Sequence, residues 1–232
     1  MREIPKLSTI FQARDMASHI ADSLKSEMLS GDLTAGQRLG EAALAERFSV
    51  SRGPVRDALS RLVEIGIAVS VPNAGTRVRE FSQGEAQELY ELRETLEAEA
   101  ARLAAIRADK AEKAALVALT EISEDRFGPG RQGSDNDFHM ELARLSGNGL
   151  LLRLLSEQLY PQLMLLRIHS RNATGRLGKA LNEHHSICQA VVDGDPELAN
   201  ILMRRHIRNS WKSFYNRMAY AVPPSNKTTK DS

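Results

Sequence analysis

The spacing of hydrophobic residues divides the chain into two parts near residue 80. Between residues 16 and 64, apolar positions recur every three or four residues in runs separated by Gly and Ser, which predicts three short helices. Ile67, Val69 and Val71 then stand at every second position, and residues 72–75, which include Pro, Asn and Gly, separate them from a further short run at residues 76–79. Alternation on both sides of such a turn predicts a β-hairpin.

Residues 82–221 show helical spacing throughout and no alternating pattern. Ser82 and Glu85 form a capping box at the start of one long helix. Five further helices are predicted at residues 110–126, 135–145, 150–170, 176–192 and 196–220. The sequence therefore predicts a mainly α protein in which an amino-terminal domain, residues 1–81, precedes an all-α six-helix bundle, residues 82–221. Residues 222–232, with two prolines and a polar end, are expected to form a disordered tail.

The amino-terminal domain contains a helix-turn-helix pattern. Two short amphipathic helices are predicted at residues 41–48 and 52–64, and only three residues separate them. In the second helix, four apolar residues at positions i, i+3, i+4 and i+7 are expected to face the core, which leaves Arg52 and Arg56 on a different face. With the hairpin as a wing, these elements predict a winged helix-turn-helix domain, and arginines at the helix end suit phosphates and guanine edges in a major groove.

Positive charge is concentrated in the helix-turn-helix. The whole chain holds 31 basic and 30 acidic residues, whereas residues 47–61 hold four arginines and one aspartate, a local charge of 4 − 1 = +3. Such a concentration is typical of a DNA contact surface, and the hairpin would bring Gly75 and Arg77 to phosphates or a minor groove. The alternative is a solvated face on which the arginines pair with acids one helical turn away.

Two stretches of this domain resemble a known family. Residues 44–62, LAERFSVSRGPVRDALSRL, and residues 72–78, PNAGTRV, are similar to the winged helix of the GntR family of bacterial transcription regulators. The resemblance implies double-stranded operator DNA as a partner. It also implies DNA contacts at Arg47, Arg52, Arg56, Gly75 and Arg77. The chain departs from the family pattern at Ala42 and Gly53.

Four polar residues of the helical part could share a metal ion. Asp135 and His139 stand four residues apart on one predicted helix and therefore project from the same face. His184 and His206 lie on two further predicted helices. Three imidazoles and one carboxylate suit a divalent transition metal such as zinc or nickel. On spacing alone, each histidine is more readily interpreted as a core or surface residue.

The motifs around these residues resemble an effector domain. Residues 135–142 (DNDFHMEL), 183–187 (EHHSI) and 203–207 (MRRHI) are similar to the FCD domain of the FadR subfamily of GntR regulators, and six helices resemble its VanR-type branch. The resemblance implies the metal ligands Asp135, His139, His184 and His206, with Arg93 lining an effector cavity. A metal beside an arginine implies a small organic acid as effector, because both can hold a carboxylate. The alternative for Arg93 is an i, i+4 salt bridge with Glu97 on the helix surface.

Together these features predict a repressor whose operator affinity responds to an organic acid. We expect a homodimer, because one winged helix reads only half of a two-fold operator. Two alternatives remain open: a metal-dependent enzyme, a hydrolase or lyase that acts on an organic acid with Glu183 or His185 as base, and a regulator whose metal is structural. No signal peptide or membrane span is recognisable and Cys188 is the only cysteine, so we expect a cytoplasmic protein with no membrane partner.

Overall fold

The computed structural model describes residues 7–126, 133–169 and 177–221, and describes side chains for residues 15–120, 137–168 and 178–216. These residues form two compact units. The first contains residues 7–86 together with 153–169, and the second contains residues 87–152 together with those from 177 onward. The predicted tail, residues 222–232, lies outside the described residues, and the predicted domain boundary between residues 81 and 82 stays a prediction.

The described part of the chain is mostly helical, with one small sheet. In chain order its elements are α1 (Leu7–Ser30), β1 (Arg38–Leu39), α2 (Glu41–Arg47), α3 (Arg52–Ile65), β2 (Ala68–Val71), β3 (Gly75–Val78), α4 (Gln83–Arg107), α5 (Lys110–Arg126), α6 (Gly133–Leu145), α7 (Gly149–Arg153), a π-helical stretch (Leu154–Leu159), α8 (Tyr160–His169), α9 (Leu177–Asp193) and α10 (Pro196–Ala221). The predicted fold class, mainly α with an amino-terminal winged helix-turn-helix and a carboxy-terminal helical bundle, is confirmed.

The core of the first unit lies between α1 and α3. The four apolar residues that the i, i+3, i+4, i+7 pattern assigned to the inner face of α3 are buried: Val55, Ala58, Leu59 and Leu62. They belong to one cluster with Ile20, Leu24 and Met28 of α1 and with Leu165 of α8. Burial of this stripe fixes the rotation of α3 about its axis, so that its polar residues at the amino-terminal end face solvent.

The predicted hairpin forms. Strands β2 and β3 pair antiparallel with Val71 opposite Gly75, and the amide of Ala74 donates to the carbonyl of Val71 over 3.0 Å. Pro72 precedes Asn73, whose φ is +59°. Proline followed by a residue of positive φ is the sequence that a type II turn requires.

Two features of the first unit differ from the prediction. The first helix has 24 residues and is not short, because Leu7, Ile10 and Phe11 extend the helical spacing to the amino-terminal side of residue 16. The sheet has a third strand, β1, which pairs with β3 and gives the order β1-β3-β2. Strand β1 has two residues, too few to show any alternation.

Every described element after the hairpin is helical. Helix α4 begins at the predicted capping box, since the amide of Glu85 donates to the Ser82 hydroxyl over 3.2 Å and the amide of Ser82 donates to the Glu85 carboxylate over 2.8 Å. Helix α7, the π-helical stretch and α8 follow one another without a break. The described helices after the hairpin therefore form six continuous runs. No described helix has the length and apolar character needed to cross a membrane.

Candidate functional site

The amino-terminal end of α3 presents two arginines to solvent. Residue Ser49 has a φ of +54°, and Ser51 is extended at the N-cap, which reverses the chain between α2 and α3. Arg52 and Arg56 follow in the first turn and a half of α3, and both are exposed. Gly53 is one of the two positions at which the chain departs from the family pattern. A Cβ added there would lie 3.9 Å from the Ser51 hydroxyl, so a side chain fits without a clash.

The five residues for which the resemblance implies DNA contacts differ in the hydrogen bonds and ion pairs that they make within the chain. Arg52 makes no hydrogen bond or ion pair with any described residue. Arg56 donates to Glu41 over 2.7 Å, and Arg47 forms a two-pronged contact with Glu27 at 2.6 and 2.8 Å. Arg77 donates to a backbone carbonyl over 2.9 Å. Gly75 is exposed at the start of β3, with a φ of +81°.

Arg38 is a further exposed arginine near these residues, and sequence reasoning missed it. It is exposed on β1 opposite Arg77 of β3, and a Cβ added at Gly75 would lie 3.9 Å from the Arg38 Nε. Arg38 therefore lies beside the tip of the wing. The sequence carried no signal for it, because a two-residue strand has no recognisable pattern.

Three of the four predicted metal ligands meet in the second unit. His139 of α6, His184 of α9 and His206 of α10 each offer a ring nitrogen, and these three atoms lie within 4.8 Å of one another. All three side chains are at most 2% exposed. The Nε2 atoms of His184 and His206 are 3.3 Å apart, and the ring of Phe138 stacks on His184 with its centroid 4.3 Å away. Asp135 lies one helical turn before His139, but its side chain is outside the described side chains.

Two carboxylates contact the outer nitrogens of this histidine cluster, by which we mean His139, His184 and His206. The Nδ1 atom of His139 is 2.5 Å from Oε2 of Glu97, and the Nδ1 atom of His206 is 2.7 Å from Oε2 of Glu183. Both rings therefore turn their Nδ1 edge to a carboxylate, which is the usual arrangement of metal-binding histidines.

Arg93 belongs to the same buried network. Its Nε donates to Oε1 of Glu97 over 2.7 Å, and its Nη2 lies 3.1 Å from Nε2 of His139. The predicted alternative, an Arg93–Glu97 salt bridge, is therefore present, but its location on the helix surface is wrong, because Arg93 is 0% and Glu97 1% exposed. Burial raises the pKa of the Glu97 carboxyl, but the charge of Arg93, together with the contacts of Arg93 and His139 with the carboxylate, outweighs this effect and holds the pKa below its usual range.

Sequence reasoning missed Glu97 as a member of this site, although a signal existed. Along α4, Arg93 and Glu97 continue a stripe of buried residues that includes Ala86, Tyr90 and Ala100. Charged residues within an apolar stripe are paired when they are buried, so their position in the stripe predicts an internal ion pair. His185, considered above as a possible base, is exposed, whereas Glu183 is the neighbour that contacts the cluster.

The donors of the histidine cluster fit a divalent transition metal. Imidazole nitrogens suit zinc and nickel. Two nitrogens bound to one tetrahedral zinc at about 2.0–2.1 Å lie about 3.3 Å apart, which is the separation between His184 and His206. Glu97 compensates the positive charge of Arg93, so the arginine adds no net positive charge beside a bound cation.

Both parts of the chain match described families. Residues 16–78 match the family described as bacterial regulatory proteins, gntR family, and residues 88–209 match the FCD domain. The chain is 30% identical over 195 residues to a probable D-xylose utilization operon transcriptional repressor of Paenarthrobacter nicotinovorans, which covers 83% of this chain and 85% of the relative.

Solved structures show the same fold. McbR/YncC of E. coli superposes with a TM-score of 0.71 at 23% identity, over 87% of this chain and 98% of that one. A putative GntR transcriptional regulator from Rhodococcus sp. RHA1 gives a TM-score of 0.70 at 24% identity, over 86% of this chain and 97% of that one. These families and relatives are transcriptional regulators and not enzymes, so the enzyme alternative is wrong. The chain belongs to the GntR family of DNA-binding transcriptional regulators and carries an FCD domain.

Proposed function

We propose that this regulator is a repressor whose affinity for its operator is controlled by a small carboxylate bound at a metal site in the helical domain. The observation that carries the proposal is the histidine cluster, in which three buried imidazoles from three helices converge with a buried arginine beside them. The relative from Paenarthrobacter nicotinovorans is named a probable repressor, which supports the sign of regulation.

The proposed DNA surface consists of the amino-terminal end of α3 and the wing. Arg52 and Arg56 would contact base edges and phosphates in a major groove, with Arg47, Gly75 and Arg77 contributing at the backbone. Arg52 is the strongest candidate for base contact, because it is exposed and no described residue competes for its guanidinium. A homodimer would place two such surfaces on the two halves of a pseudo-palindromic operator.

In the helical domain, His139, His184 and His206 would hold the metal, with Asp135 as the fourth ligand. A divalent metal there would supply a Lewis-acidic position for one carboxylate oxygen. Arg93 would hold the other oxygen by charge-assisted hydrogen bonds. To do so, Arg93 must turn one of its donors away from His139, while Glu97 keeps the buried guanidinium paired through Nε.

Control of DNA affinity follows if the carboxylate binds one arrangement of the helical domain better than another. An effector that favours the arrangement unsuited to the operator weakens DNA binding, and the operator must then weaken effector binding by the same factor. Equal effector affinities with and without operator DNA would contradict this coupling.

The experiment that tests the proposal is thermal melting of protein of known metal content against a panel of small carboxylates. A ligand present at a hundred times its dissociation constant adds about 2.7 kcal/mol of stability, which raises the melting temperature by a few degrees. We expect one class of carboxylate to raise it in the wild type and not in His139→Ala. His185→Ala is the matched control, because His185 is exposed and should leave the shift unchanged. A protein without metal and without any shift would contradict the proposal.

One observation favours a second candidate, a regulator whose metal is structural. Arg93 is fully buried and already paired with Glu97. The guanidinium can therefore serve the structure alone, without binding a ligand. In that case chelation lowers the melting temperature, but no carboxylate changes the melting temperature or the affinity for DNA.

A further inference from the structure

Two nitrogens of the histidine cluster, Nδ1 of His139 and Nδ1 of His206, each contact a carboxylate. We infer that Glu97 and Glu183 are positioning residues that hold His139 and His206 in the Nδ1–H tautomer, so that both Nε2 lone pairs face the centre of the cluster. This inference rests on the proposed metal site, and it adds to that proposal the groups that prepare the ligands.

At His139 two contacts with described residues agree on one tautomer. Arginine has only donors, and the Nη2 of Arg93 lies 3.1 Å from Nε2 of His139, so this nitrogen must be the acceptor. A neutral ring whose Nε2 accepts carries its proton on Nδ1, the atom that lies 2.5 Å from Oε2 of Glu97. Both contacts therefore require the same protonation pattern of a neutral ring.

At His206 the carboxylate is itself held in place. Oε1 of Glu183 accepts from the side-chain amide of Asn209 over 2.8 Å, and Oε2 faces Nδ1 of His206 at 2.7 Å. The Nε2 of His206 points instead at Nε2 of His184, 3.3 Å away. Asn209 follows His206 by three residues on α10, so one helix carries both the ligand and the group that orients its carboxylate.

Burial gives these contacts control over the tautomers. His139 and His206 are 1% and 2% exposed, so water contributes little to the choice and the nearby protein groups decide it. Without a carboxylate at Nδ1, a ring spends part of its time as the Nε2–H tautomer, which cannot bind a metal through Nε2. The apparent affinity then falls with the population of the competent form. Loss of a partner of this kind reduces metal affinity by about ten- to a hundredfold.

The experiment uses the full chain in two states. In metal-free protein labelled with nitrogen-15 in its histidines, two-bond nitrogen–hydrogen correlation spectra at pH 8 report which ring nitrogen is protonated. In parallel, the affinity for Zn²⁺ is measured by competition with a chromophoric chelator. The variants are Glu183→Ala, Glu183→Gln and Glu97→Gln, and the signals are assigned with His139→Asn and His206→Asn.

We expect wild-type His139 and His206 to be Nδ1–H tautomers. Glu183→Ala should shift His206 towards Nε2–H and weaken Zn²⁺ binding at least tenfold, whereas Glu183→Gln keeps an amide oxygen as acceptor and should retain most of both properties. Glu97→Gln likewise keeps an acceptor for Nδ1 of His139 and should retain most of the Nδ1–H tautomer there. Glu94→Gln is the matched control: Glu94 precedes Glu97 by one turn on α4, is 16% exposed and pairs with Arg204 and Arg208.

Failure of the inference and failure of the proposed function are distinguishable. If wild-type His139 or His206 has a protonated Nε2, or if Glu183→Ala changes neither tautomer nor Zn²⁺ affinity, the inference is wrong even though Zn²⁺ binds. If the tautomers are as expected but neither Zn²⁺ nor Ni²⁺ binds the wild type, the metal site is wrong and the carboxylates still set the tautomers. Glu97→Gln also alters the partner of the buried Arg93. Glu183→Ala does not, so it tests the inference without disturbing that ion pair.

Discussion

The two units contain ion pairs of the same length in opposite surroundings. Arg56 of α3 lies 2.7 Å from Glu41 with the arginine side chain 64% exposed, and Arg93 of α4 lies 2.7 Å from Glu97 with both side chains buried. Solvent screens the first pair and can replace either partner. Neither partner of the second pair can be replaced by water, so removal of one leaves an uncompensated buried charge. Distance alone therefore says little about what an ion pair contributes.

The same difference bears on function. If Arg56 contacts DNA as proposed, a phosphate replaces the Glu41 carboxylate as its partner at little cost, because the arginine is already hydrated. The Arg93 guanidinium can change partners only within a buried network that includes His139 and Glu97. The exposed pair is therefore compatible with the proposed DNA surface, and the buried pair with the proposed carboxylate site.

The largest expected effect comes from breaking the buried pair. Glu97→Ala leaves Arg93 without its carboxylate, and we expect the free energy of unfolding to fall by about 3–5 kcal/mol. Glu41→Ala breaks the exposed pair of equal length and should cost about 0–1 kcal/mol. Urea denaturation of both variants measures the difference directly, and equal losses would contradict the role assigned to burial.

A smaller effect is expected at the proposed DNA surface. Arg52→Ala should weaken binding to the specific operator by about 1–3 kcal/mol and relax the preference at one base position, as for an arginine that contacts a guanine edge. The measurement is fluorescence anisotropy on an operator selected from random DNA, together with variants at each base pair.

The control for Arg52→Ala is Arg102→Ala. Arg102 is a partly exposed arginine of the second unit, paired with Glu99, and its removal lowers the net charge of the protein by the same amount. Its loss should leave the sequence preference unchanged. If Arg52→Ala weakens binding equally on every DNA sequence, Arg52 is a phosphate contact and does not read a base.

Much of the first unit could be predicted from the sequence, because one face of each element is apolar. The inner face of α3 and the hairpin follow from periodicities that need only a few residues. Strand β1 could not be predicted, since Arg38 and Leu39 form no pattern of their own and pair only because β3 lies beside them. Helix α1 is longer than the prediction, which begins at Met16, because apolar residues with helical spacing begin at Leu7.

For the candidate metal centre, the sequence predicted the histidine ligands but not the environment that surrounds them. His139, His184 and His206 could be named from motifs, and the structure brings all three together. The pair of Arg93 with Glu97 was visible as an i, i+4 spacing, but this spacing is the same on a surface and in a core. Only the packing of α4 against its neighbours decides between these two environments.

The smallest expected effect concerns a carboxylate intermediate between the two extremes, Glu85 at the start of α4. Its hydrogen bond with Arg79, together with those from Ser82, lowers the pKa of Glu85 to about 2. A carboxyl whose pKa is lower in the folded state stabilises the fold above the unfolded pKa of about 4.5, and this contribution is lost as the pH falls towards 2. Because the Glu85 side chain is 40% exposed, solvent screening limits the contribution to about 1 kcal/mol or less.

Glu85→Gln should therefore be less stable than the wild type at pH 7 in urea denaturation, and the difference should shrink at pH 2.5. A difference that stays constant between these pH values would mean that the capping hydrogen bonds, and not the charge, stabilise the start of α4.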